Sequence, residues 1–560
     1  MKEVLFVRLK LTCTCAFLCM VLTLKPYLLD AQAIKQNKEQ INITSSFKPS
    51  IVKTGKIEFE AKVPERDTSR FLFKYPFESF VFSSTVSPFS IKPLSFTHGE
   101  SQESSGAHIK LGYGSLTSPF SSLSWTSRKD KLFYSANFDH FSAMGDLPDQ
   151  KVSRTALSAN LKNRLNENQT FLFDLGFEQQ AFRLYGFDHG LFNFSPNDLK
   201  QNFNIIHLGT TYQQVSGNEG QTTISPHMEV DYLFANRKTN EFSLFFSMPA
   251  SLSLSSNLYL KTQLDISSSF LTDTIKGNRN NVLLAFPVNM EGKLGKLQWM
   301  GGFTTTMGGK NFSLLPNMNI RYDLNTKGVR LNAGIHNELR LNSLKRLYGI
   351  NPFLLSPDSI SVNRKSDYFI GMDWLNPRGL QLNFKMGLTH FYNVPLFVNT
   401  GFSEKQFKVL QESFLSSFQL AGGIEYVLDE RLKFGSEIQY YHFLRQDGYD
   451  NPYGLLPLEF KANVSWRPLD PMTIGFNAYV WRGGMALPVV SGNIGGGFPP
   501  FRLKDGADLG AHVEYKLNKK WALWFDLNNI ANIRYQRWNK YESFSFSFMG
   551  GIKYIFNQSK

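Results

Sequence analysis

Residues able to do chemistry are few in this chain and do not converge. No Gly-x-Ser-x-Gly, His-Glu-x-x-His or Gly-rich phosphate loop occurs, and no carboxylate pair recurs at a spacing suited to acid–base work. His108, His140, His189, His207, His227, His336, His390, His442 and His512 stand singly, on or beside stretches of alternating polarity. Isolated imidazoles of that kind line walls and interfaces more readily than they bind metal. Asp146, Asp149, Asp447 and Asp450 lie in polar connections and could offer oxygen to Ca²⁺. Without the fixed ligand spacing of a calcium loop they read as solvated residues. The expectation is no catalytic, cofactor-binding or metal-binding residue, and no enzyme.

The three cysteines, Cys13, Cys15 and Cys19, all fall in one N-terminal segment. Lys2, Arg8 and Lys10 precede the apolar run Leu11–Leu24, and Ala31-Gln32-Ala33 follows it. A basic start, an apolar core too short to span a bilayer and a small-x-small site together read as an export signal, residues 1–33, cleaved after Ala33. The exported chain then holds no cysteine, which excludes thiol catalysis, disulfides and thiolate metal sites.

What remains must be positioned by elements of short period. In Asp508–Leu517, Leu509, Ala511, Val513, Tyr515 and Leu517 share one face, while Asp508, Gly510, His512, Glu514 and Lys516 share the other. At the C-terminal end Phe544, Phe546, Phe548, Ile552, Tyr554 and Phe556 oppose Ser543, Ser545, Ser547 and Lys553. Alternation of this kind marks strands with two unlike faces. The segments run longer than soluble strands, at the roughly 9–11 residues a tilted strand needs to cross a bilayer. Aromatics, Trp481, Trp521 and Trp538 among them, sit near segment ends, where interface girdles belong. Connections alternate in length: Pro395–Gln411, Arg445–Asn451, Gly483–Lys504 and Asn532–Glu542 are long, whereas Asn376–Gly379, Asp429–Arg431, Pro468–Pro471 and Asn518–Lys520 are short.

These features predict an all-β, antiparallel transmembrane barrel over residues 107–560 with short periplasmic turns and long extracellular loops. Twenty-two segments can be counted, including ones that start near Ala107, Gln221, Glu412 and Ser543. The last segment's aromatics are expected to face lipid, and Asp508, His512, Glu514 and Lys516 the lumen. Trp481, Trp521 and Trp538 are expected at the membrane interface. Residues 34–106 are polar and carry Pro64, Pro76, Pro88 and Pro93; they read either as a periplasmic lead-in or as a lumen occluder. The loops Gly483–Lys504 and Ser343–Asp358 are apolar for exposed connections, and one of them is expected to be an interaction surface.

The chain carries 60 Lys+Arg against 46 Asp+Glu, a net charge of +14. Its basic residues cluster in turns such as Arg128-Lys129 and Lys519-Lys520 rather than on one aromatic-laced element, so lipid phosphates are the expected partner and nucleic acid is not.

The closing run Ala507–Phe556, with Asn528-Asn529-Ile530-Ala531-Asn532, Arg534-Tyr535-Gln536-Arg537-Trp538 and a last strand that ends on an aromatic, resembles the final strands of TonB-dependent receptors. The stretch Lys110–Trp125 and Asn351-Pro352-Phe353 resemble a Bacteroidota group of such barrels. The resemblance implies an outer-membrane barrel of a Gram-negative cell engaged in solute uptake or porin-like transport. Family members carry an N-terminal plug of well over a hundred residues and a box that TonB grips. Here only residues 34–106 precede the first strand, without the Gly-rich plug pattern or such a box, so TonB coupling is not carried over. The alternative is a non-transporting barrel subunit of an outer-membrane assembly, secretion or surface-lipoprotein complex, with periplasmic or surface lipoproteins as partners.

Overall fold

The structure is a computed structural model; it describes residues 106–556 apart from 215–221, 237, 309–310, 325–327, 377–378, 429–430 and 488–498. The predicted signal segment and residues 34–105 lie outside the described residues.

Successive strands pair antiparallel, and the first, Gly106–Gly114, closes on the last, Ser547–Phe556, from Ala107 opposite Phe556 to Gly114 opposite Met549. The sheet holds 23 strands, of which two, Thr222–Ile224 and His227–Ala235, lie end to end along the same neighbour, Thr239–Ser255. Pro226 has no N–H to give the ladder, and the break falls there. Counting the pair as one stave leaves 22, the number read from the sequence. Among the described residues no helix is long and apolar enough to cross a membrane; the crossing elements are strands.

Alternation now has a spatial meaning. Phe548, Ile552 and Phe556 are exposed on the outer face, as are Leu123, Leu157, Leu175, Phe242, Phe286, Met318, Ile370, Phe384, Ile438 and Phe476 around the circumference. A continuous apolar belt of this extent is stable only against lipid. The alternate positions turn inward and are mostly polar.

Ten connections on one rim are 2 to 7 residues long; the eleven on the other run from 2 to 23. The predicted alternation therefore holds for the C-terminal half except at 401–405. Four long-rim connections in the first part of the chain, 115–117, 236–238, 274–276 and 309–310, are as short as turns. The region expected as a loop over Pro395–Gln411 is mostly strand: Leu380–Thr400 and Gln406–Leu428 form one hairpin of 21 and 23 residues. A bilayer needs only about half that length, so the hairpin continues well past it. Its strand begins at Gln406 instead of near Glu412, because Val394-Pro395-Leu396-Phe397-Val398 pairs along Lys408–Glu412.

Candidate functional site

The long-loop end of the lumen is filled by the chain itself. On the inner wall, Phe203, Leu233, Leu271 and Leu283 are all buried in one apolar cluster. They share the inward parity of His207, Asp231, Asp273 and Asn281 on the same strands. Leu344, Leu347 and Tyr348 of the helix Leu344–Ile350 pack against them, with Phe353, Leu354 and Ile360 from the same connection. From the far side come Phe397, Phe407 and Val409 of the long hairpin, and Trp538 and Tyr541 of the last connection. Phe353 stacks on Tyr541 with ring centroids 3.5 Å apart, and Trp538 meets Phe397 edge-on at 5.1 Å. Residues from opposite sides of the barrel thus meet in an apolar plug made of loops.

The hairpin is covered on both faces. Phe397 and Phe407 belong to the plug, whereas Val394, Leu396, Val398 and Leu410 join a second cluster with Tyr441, Tyr453 and Leu487. It leaves the wall at Asn393, whose φ of 53° lies in the left-handed region. Asparagine tolerates that conformation better than most residues. Asn393 Nδ2 donates to Val362 O (3.0 Å), and Asn342 Nδ2 donates to Asn393 O (3.1 Å), holding the bend.

Buried carboxylates pin the loops. Glu241, 1% exposed, accepts from Leu344 N (2.7 Å), Lys345 N (2.8 Å) and Ser269 Oγ (2.6 Å). Glu412, fully buried, accepts from Gly448 N (2.8 Å) and Tyr449 N (2.9 Å). In each case one carboxylate gathers two successive backbone donors that an inward loop leaves without a ladder partner. Asp358 takes Lys276 Nζ (2.6 Å) and Lys408 Nζ (3.1 Å), and Arg279 donates to Pro357 O (2.6 Å). The hydrogen bond from Lys276, with Lys408 beside it, holds the Asp358 carboxyl below its ordinary range. Arg346, on the inward helix, donates to Asn342 Oδ1 (3.0 Å), and burial lowers its pKa to about 10.

Beyond the plug the wall is polar. Asp367 accepts from Lys385 (2.9 Å) and Thr389 (2.8 Å), and Arg154 pairs with Glu178 (2.7 Å). Five asparagines lie over glycines directly opposite on the next strand: Asn289 over Gly302, Asn332 over Gly371, Asn383 over Gly423, Asn463 over Gly435 and Asn477 over Gly510. A Cβ on any of these glycines would come within 2.2–2.8 Å of the amide. Glycine there leaves room for a flat, neutral, hydrogen-bonding lining.

The residues singled out from the sequence separate into three groups. Asp508 accepts from Tyr535 Oη (2.8 Å), His512 bonds Asp526, and Glu514 pairs with Lys553 (3.1 Å), all on the inner face; Lys516 is exposed at the short-turn rim. Trp521 is exposed and packs on Tyr554 at 4.6 Å near that rim. Trp481 and Trp538 are instead buried: Trp481 has inward parity and meets Tyr535 edge-on at 4.6 Å, and Trp538 lies in the plug. Phe544 and Phe546 precede the last strand, which starts at Ser547; Phe544 is 3% exposed and packs with Trp524 and Met549. Trp538 and Phe544 share one cause: the last connection folds inward and takes its aromatics with it; Trp481 lies on a wall strand and faces inward by its parity. Asp146, Asp149 and Asp447 pair with Arg534, Arg183 and Arg445.

No family model and no curated protein matches the sequence. Solved structures do match the fold. The FrpB iron transporter of Neisseria meningitidis (F3-3 variant) superposes with a TM-score of 0.63 at 11% identity, covering 81% of this chain and 82% of that one. The siderophore receptor PirA of Acinetobacter baumannii gives 0.61 at 10% identity, with 81% of each chain covered. A double mutant of the ferric enterobactin receptor PfeA of Pseudomonas aeruginosa gives 0.57 at 12%, with 80% of each covered. The fold is the closed 22-stranded barrel that these structures share.

Sequence reading missed the long hairpin that enters the plug, Glu241, Glu412 and the bend at Asn393. One trace of it was present: five consecutive apolar residues, Val394–Val398, cannot alternate between lipid and lumen and signal burial on both faces.

Proposed function

We propose that this chain is an outer-membrane barrel that takes up a hydrophilic solute through a lumen gated by its own loops, with the short turns on the periplasmic side. The observation that carries the reading is the combination of a closed 22-stave barrel, a polar amide-rich inner wall and an apolar plug of inward loops at one mouth. The resemblance of Lys110–Trp125 to Bacteroidota barrels supports a receptor-like barrel. Planar-bilayer recording tests it: the intact chain gives few or small steps, and replacing residues 395–411 by a short Gly-Ser turn opens large, steady ones. A variant that stays silent while retaining the heat-modifiable mobility of a folded barrel overturns gated uptake.

The close apolar packing of the plug favours a second reading, a non-transporting subunit of an assembly, secretion or surface-lipoprotein complex. Stoichiometric co-purification with envelope lipoproteins from native membranes, combined with silence in the bilayer, is its expected outcome.

A further inference from the structure

Charge is not balanced evenly around the two rims: even at the short-turn rim Lys261 meets Glu291 and Arg330 meets Asp323 away from the closure seam. At the long-loop rim cations meet carboxylates: Lys276 and Lys408 meet Asp358, Arg502 meets Asp505, Arg534 meets Asp146 and Arg445 meets Asp447. At the short-turn rim, on either side of the closure seam, Lys129, Lys131, Arg164, Lys516, Lys519 and Lys520 are all exposed. No described carboxylate stands within ion-pair distance of them. The acidic residues of the same turns are Asp130 and Glu167.

Aromatics on the outer face flank these turns. Tyr515 precedes Lys516, and Trp521 follows Lys520 and packs on Tyr554 at 4.6 Å. Across the seam, Trp125 lies four residues before Lys129 and packs on Tyr134 at 5.1 Å. The strands carrying the two basic turns, Trp521–Asn528 and Ser118–Lys129, are separated only by the last and the first. Three inter-strand spacings amount to about 14 Å. That is less than two Debye lengths, about 16 Å, at physiological salt, so the fields of the two turns overlap. An amphipathic ring at headgroup depth beside an ammonium or guanidinium matches a phosphodiester with its acyl chains below.

We propose that the short-turn rim flanking the closure seam is a binding arc for anionic phospholipid headgroups. The inference rests on the membrane reading above but not on uptake. Because the unbalanced charge lies on the short-turn rim, the ligand assigned is a phospholipid and not a lipopolysaccharide of the opposite leaflet.

The test uses the full chain in nanodiscs of equimolar phosphatidylglycerol and phosphatidylethanolamine, with retained lipid counted by native mass spectrometry after detergent release. The expected result is at least about a threefold preference for phosphatidylglycerol that weakens at high salt. The quadruple variant K129Q/K131Q/K519Q/K520Q brings the ratio close to one. The control K293Q/K296Q, in a turn on the far side of the same rim, keeps most of the preference. No preference in the wild type, or equal loss in the control, overturns the arc. Wild-type preference for lipopolysaccharide over phosphatidylglycerol in a parallel disc overturns the assigned ligand. Heat-modifiable mobility is read on every variant; a chain that never shows it overturns the membrane reading along with the arc.

Discussion

Glu241 shows how much a single carboxylate can hold. Its two oxygens take the first free N–H groups of the helix Leu344–Ile350 and the Ser269 hydroxyl. Glu241→Ala strands two buried donors, a loss of about 2–4 kcal/mol in the loop's closure. Hydrogen exchange over residues 342–361 should accelerate accordingly, while exchange in the strands stays slow. Glu241→Gln keeps one acceptor and should fall between. Asp358 gives a pH dependence of definite sign. Its carboxyl is depressed by Lys276 first and Lys408 second, so its contribution is present above the ordinary carboxylate pKa of about 4 and is lost as pH falls through the lower folded value. Because the cysteines precede residue 20, a spin label at Ser359→Cys in a chain lacking residues 1–33 reports cleanly. It should be immobile at pH 6 and grow more mobile as pH falls below about 4, and Asp358→Asn should remove that dependence.

At the scale of the element, the long hairpin is the part to perturb. Its bend places Asn393 at φ 53°. A β-branched residue is strained there by about 1–3 kcal/mol, so Asn393→Val should lower thermal stability more than Asn393→Gly, which forfeits only the bond to Val362 O. Trp538 touches Phe397 and Phe407 from the last connection. Trp538→Ala should cost about 3–5 kcal/mol of plug stability, read as increased proteolysis within residues 395–411. These elements also mark where sequence reading succeeds and fails. Strands such as Met472–Arg482 and Gly506–Lys516 were legible because lipid on one face and water on the other impose strict alternation at each position. The hairpin tip and the 529–546 connection were not, because their partners are other loops, brought together by closure of the cylinder. Trp538 and Phe544 look like girdle and lipid-facing aromatics by spacing alone; only the fold reveals that they turn inward.

For the molecule as a whole, the exposed belt and the polar lining divide the work of stability. Ladder hydrogen bonds satisfy nearly every backbone group inside the wall, the condition for residing in hydrocarbon. The wall should therefore outlast the plug. Two thermal transitions are expected, the first abolished by deleting residues 395–411, the second retained; a single transition shared by both would show plug and wall to be one cooperative unit. The circle is also uneven. The long hairpin is joined through twenty paired positions, whereas the first and last strands meet through eight, and Gly112 faces Gly551 there with Tyr113 beside Gly550. The other joints of the wall follow the order of the chain, whereas this one brings together its first and last described strands. Insertion must end by fastening those two ends, and a newly made chain awaiting that step presents both bare edges side by side, where any nascent strand of similar register can be stitched in.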